Sequence, residues 1–206
     1  LPANGKIRLG DNNGFGALAP GKEMDHLGLV PETVSVMAGP PGVADALVFV
    51  DDGERDGRLD GQLRLGMWRP EALGPTSQVP TAISGNLRPL LPAHFVGAHV
   101  DASSKVTAAD VDGDGQMDLV ALIRFEGLRA DDDALLMVWR GSAEPQETPF
   151  PFVRPLATAI LRVPGRATDF VLGDFAAETA GAPVRLELAM AVPGGVGIDT
   201  DHVRFY

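Results

Sequence analysis

Apolar residues in this chain come in short bursts, not in long helical stripes. "VTAA" (106–109), "LVALIRF" (119–125) and "LLMVW" (135–139) are each bounded by Gly, Asp or other polar residues. Runs of this length between turn signals read as buried strands. Further on, Val184, Leu186 and Leu188 alternate with Arg185 and Glu187. That period of two predicts a strand, although the composition of "TAGAPVRLELAMAV" would also suit a helix. The pattern therefore predicts an all-β chain of short antiparallel strands.

The same pattern repeats. "VSVMAGPPGVADALVFVDDGERDGRLDGQLRLGMWRP" (34–70) can be laid on "VTAADVDGDGQMDLVALIRFEGLRADDDALLMVWRG" (106–141). Each gives a strand, a tight Gly turn, an Asp, an apolar strand, a polar acidic loop and a strand ending in Trp-Arg. Gly42 and Asp45 fall where Gly115 and Asp118 fall. Trp68-Arg69 answers Trp139-Arg140, a spacing of 139 − 68 = 71 residues. A looser copy begins at Asp169, with Asp174 near the position of Asp110 and "HVRFY" in place of "LLMVW". The opening "KIRLGDNNGFGALAPG" reads as the tail of another unit. The Pro-rich return "RPEALGPTSQVPTAISGNLRPLLPAHF" has room for one short outer strand only, because Pro cannot donate to a central ladder. The units are 1–33 (a tail), 34–105, 106–168 and 169–206. Four short strands repeated at this spacing predict β-propeller-type blades.

One turn carries more charge than a turn needs. "DVDGDGQMD" places Asp110, Asp112, Asp114 and Asp118 within nine residues. At about 5 Å and an effective dielectric near 20, each like-charged pair costs roughly 3 kcal/mol. A divalent cation would remove that cost, and calcium accepts six to eight hard oxygens in flexible geometry. Asp110, Asp112 and Asp114 alternate and can point to one side, Gln116 can offer its backbone carbonyl, and Asp118 closes the ring. Gly113 and Gly115 permit the tight turn. An EF-hand would need a bidentate Glu at the twelfth position, where Ala121 stands. The plain alternative is a solvated acidic turn. "DGERDGRLD" offers a weaker second set in Asp52, Glu54, Asp56 and Asp60, with Arg55 and Arg58 interleaved. Asp131 to Asp133 read as a solvated turn.

With these residues in view, "VTAADVDGDGQMDLVALI" resembles the calcium-loop core of FG-GAP/VCBS repeats, the blade units of integrin-α-like β-propellers. "RLGDNNGFGALAPG", with Phe15-Gly16 followed by Ala19-Pro20-Gly21, is similar to their Phe-Gly…Gly-Ala-Pro segment. The resemblance covers about 106–141 best and the first and third copies least, because these lack the acidic loop in its usual place. It implies calcium in inter-strand loops, an extracellular, cell-surface or periplasmic setting, and a role in adhesion or in contact with a protein or glycan. Three units and a tail are too few to close a propeller. The expectation is therefore a portion of a larger propeller, or an open one completed by association.

Composition narrows the function classes. Among 206 residues the net charge is −11, and the basic residues are scattered, which argues against a nucleic-acid backbone as partner. No apolar stretch approaches the roughly 18 residues that a membrane span needs. Cysteine is absent, so neither disulfides nor a thiol nucleophile are available. The chain begins "LPANG", which suggests removal of a leader or excision from a longer protein. His26, His94, His99 and His202 lack metal-ligand spacing, and Ser84 is not in a G-x-S-x-G elbow. Trp68 and Trp139 read as packing residues at one blade position, not as a binding cage. The expected function is a non-catalytic calcium-binding module. The alternatives are an accessory domain of a larger secreted enzyme and a propeller hydrolase using a carboxylate pair.

Overall fold

The computed structural model describes residues 5–12, 18–26, 29–39, 45–53, 62–68, 81–82, 86–91, 97–127, 133–141, 159–165, 167–173, 175, 187–192 and 202–205. Within them the protein is all-β with almost no helix, as the apolar pattern predicts. Strands β1 (Gly5–Asn12) and β2 (Leu18–His26) form an antiparallel hairpin with a register shift between Arg8 and Gly10. Next come β3 (Ser35–Met37), β4 (Ala46–Asp52), β5 (Leu63–Trp68) and β6 (Thr81–Ala82). They form a four-stranded sheet in sequence order. A second four-stranded sheet contains β7 (Lys105–Ala109), β8 (Asp118–Ile123), β9 (Asp133–Trp139) and β10 (Ala159–Pro164). The last sheet is three-stranded, from β11 (Asp169–Gly173), β12 (Glu187–Val192) and β13 (His202–Phe205). All pairings are antiparallel and no sheet closes on itself.

Side-chain parity distributes the core over the faces of these sheets. Val48 and Val50 of β4, with Leu63, Leu65 and Met67 of β5, share one cluster with Leu119, Ala121 and Ile123 of β8 and Leu135, Met137 and Trp139 of β9. The two four-stranded sheets therefore pack face to face. The opposite parity of β8 and β9, Val120, Leu122, Ala134 and Leu136, joins Phe170, Leu188, Met190 and Val192 of the last sheet. Strand β8 is thus covered on both sides and all six of its residues are buried. An uninterrupted apolar run is what such a strand requires. Each fully buried Leu, Val or Phe contributes roughly 1.5–3 kcal/mol of burial free energy.

The 71-residue spacing reappears in the hydrogen bonds that precede each four-stranded sheet. The Thr33 hydroxyl accepts the Val50 N–H at 2.8 Å and donates to the Val30 carbonyl at 2.7 Å. Ser104, 104 − 33 = 71 residues on, accepts the Arg124 N–H at 2.9 Å. Leu29 and Val100, again 100 − 29 = 71 apart, each make an isolated bridge to the second half of a hairpin. Each hydroxyl ties the approach segment to the following hairpin.

The two tryptophans do not share a position, contrary to expectation. Both are buried, but Trp139 lies in the core between the four-stranded sheets while Trp68 packs with Leu29 and Phe49 on the outer face. The reason is register. Trp68 pairs with Leu47, two residues past Asp45, whereas Trp139 pairs with Leu119, one residue past Asp118. A single-residue difference sends a side chain to the other face. Gly66 accommodates the outer cluster, since a Cβ there would sit 2.5 Å from the Phe49 ring. The Pro-rich return holds the short strand β6, as expected, and a 3₁₀ turn at Arg88–Leu90. Phe15-Gly16, Gly42 and Asp174 lie outside the described residues.

Candidate metal centre

The β7–β8 hairpin pairs Ala109 with Asp118 as its last rung, and the chain turns through 110–117. Gly113 (φ 77°) and Gly115 (φ 84°) take the left-handed conformation that side chains disfavour, which lets the loop fold back on itself. Asp110, at the start of the turn, accepts backbone N–H groups from Gly113 (2.8 Å), Asp114 (3.1 Å) and Gly115 (2.8 Å). Asp118, at its end, accepts the Val111 N–H (2.9 Å) on one oxygen and the Gly141 N–H (2.7 Å) on the other. Asp112 accepts one longer bond, from the Asp114 N–H at 3.3 Å.

These three carboxylates converge. Asp110, Asp112 and Asp118 each present an oxygen, and the three oxygens lie within 4.8 Å of one another, a spacing that can hold a metal ion. Asp118 is 1% exposed; Asp110 and Asp112 are partly buried. Asp114, expected in the ring, is instead exposed and its carboxylate accepts the Gln116 N–H at 2.8 Å. Gln116 is engaged through that N–H. The alternation of aspartates thus delivers three of the four acidic side chains to one point, with the fourth capping the turn.

Two participants were not expected. Arg140, just past β9, forms an ion pair with Asp112, and Gly141 donates its N–H to Asp118. Gly141 passes so close to the hairpin that a Cβ would meet the Met117 carbonyl oxygen at 2.6 Å. The only trace of this in the sequence is the recurring Trp-Arg pair, which served to align the repeats and carried no hint that its arginine reaches the acidic turn.

The second acidic loop is organised differently. Asp52 is fully buried and pairs with Arg88 at 2.5 Å, accepts the Val100 N–H at 2.8 Å, and has His99 Nδ1 at 3.8 Å. Arg88 also donates to the Ala98 carbonyl. Asp52 therefore joins the first four-stranded sheet to the segment leading into the second, and its carboxylate faces inward. Glu54, Asp56 and Asp60 lie outside the described residues, as do Asp131, Asp132, His94 and Ser84. Of the histidines, only His99 has a described side chain, and it sits at the core edge beside Asp52. Among the described residues no helix is long and apolar enough to cross a membrane.

A scan of the chain against protein-family models, and a comparison with curated proteins, returned no match.

Proposed function

We propose that this chain is a calcium-stabilised, non-catalytic β-module whose four-stranded units are propeller-type blades of a larger or open assembly. The observation that carries the reading is the convergence of Asp110, Asp112 and Asp118 at the tip of one hairpin. Three negative charges meet there, more than the single charge of the nearby Arg140 can offset, and a divalent cation would offset them. Hard carboxylate oxygens, joined by backbone or water oxygens, suit calcium. The ion would join the β7–β8 turn to the end of β9 through Asp118. The blade reading rests on two sequential four-stranded sheets that pack face to face. The resemblance to FG-GAP/VCBS repeats adds the proposal of a secreted or surface protein that contacts a protein or glycan.

Thermal melts of the full chain with calcium and with chelator test the metal role. Calcium at 100 times its dissociation constant adds about 2.7 kcal/mol of stability. For a chain of this size that raises the melting temperature by roughly 5–10 °C. Asp112→Asn removes the shift while altering the chelated protein little. Superimposable wild-type melts in the two conditions would refute the cation.

A further inference from the structure

The three carboxylates of the turn are held very unequally. Asp110 receives three backbone N–H groups and Asp118 two, whereas Asp112 receives a single bond of 3.3 Å. What holds Asp112 in addition is Arg140. The Asp112 Oδ2 atom is sealed from solvent, and the guanidinium of Arg140 lies against it. Arg140 itself is 57% exposed along its side chain, so it can swing into water without opening the core. Its backbone cannot follow, because the next residue is pinned: Gly141 donates to Asp118, and it lies so near the hairpin that a Cβ there would meet the Met117 carbonyl oxygen at 2.6 Å.

From this arrangement we propose that Arg140 is an internal competitor for the cation, holding Asp112 until an incoming ion displaces it and thereby setting the affinity of the site. The inference rests on the reading of Asp110, Asp112 and Asp118 as a cation site. A guanidinium and a divalent ion cannot both sit close to one carboxylate without mutual repulsion, and the solvent-facing guanidinium is the one that yields. Arg140 would act on the ion through Asp112 and is not itself a ligand. Its role differs from that of a brace: a brace would make cation binding stronger, a competitor makes it weaker.

Calcium titration by calorimetry, on the full chain and on Arg140→Gln and Arg140→Lys variants, separates these outcomes. Melting temperatures in chelator are recorded in parallel. The expected result is calcium binding on the order of tenfold tighter in R140Q than in wild type, with R140K nearer wild type because it keeps the charge. In chelator, R140Q melts at or below the wild-type temperature, because it loses the Asp112 pair. If wild type binds calcium and R140Q binds equally or more weakly, the competitor role is overturned while the cation site stands. If no variant binds at millimolar calcium, the cation site falls and the competitor with it.

Discussion

Asp52 and Asp118 are both aspartates at a strand terminus, both sealed from water, and both bonded to a backbone N–H of a distant segment. Asp52 meets a buried arginine, whereas Asp118 meets two further carboxylates. The first is a closed ion pair and the second an open acidic pole. Asp52→Ala leaves the Arg88 charge buried without its partner, so urea unfolding should show a loss of about 3–5 kcal/mol. Replacing both members with apolar residues, Asp52→Leu with Arg88→Met, should cost less than the single change. The sequence placed Asp52 in a loop of candidate ligands. Its true partner stands 36 residues away in a Pro-rich stretch with no periodicity to mark it. By contrast, Asp110, Asp112 and Asp118 were legible, because their spacing and the glycines between them act within a single turn.

At the scale of elements, strands were the most readable feature. Strand β8 announces itself as an apolar run because both its faces are covered, whereas of the alternating stretch 184–188 only Glu187 and Leu188 fall within β12 and the rest lies outside the described residues. What could not be read was register. The Trp-Arg pairs suggested one position for Trp68 and Trp139, and only the pairing to Leu47 and Leu119 sends them to opposite faces. Also illegible were Thr33 and Ser104, ordinary hydroxyls whose significance comes from the strand they meet. Thr33→Val leaves the buried N–H of Val50, and Ser104→Ala the partly buried N–H of Arg124, without its acceptor. Each should lower stability by about 1–3 kcal/mol, measured by denaturant titration. A Thr33→Ser control keeps the oxygen and should lose much less.

Over the whole molecule, the sheets succeed one another along the chain and share cores across their faces, which places β8 and β9 in the middle of the described stack. Amides of these strands should be the slowest to exchange with deuterium, because their opening requires both cores to part. Calcium should further slow the Gly113, Gly115 and Gly141 amides, which donate to the convergent carboxylates. The Gly39 amide serves as the internal reference, and equal slowing there would mean a general stabilisation and not a local ion. The all-β class was legible from period and punctuation.

The bond from Gly39 N–H to the Asp45 carboxylate, 3.0 Å long, parallels the one from Val111 to Asp118. Yet the turn it spans, "AGPPGVAD", has no other acid. Each hairpin thus has one aspartate that takes a backbone N–H from across its turn. In the later turn Asp110 gathers three backbone N–H groups and belongs to the frame, whereas Asp112 takes a single long bond, so Asp112 is the acid whose gain or loss leaves the joint standing.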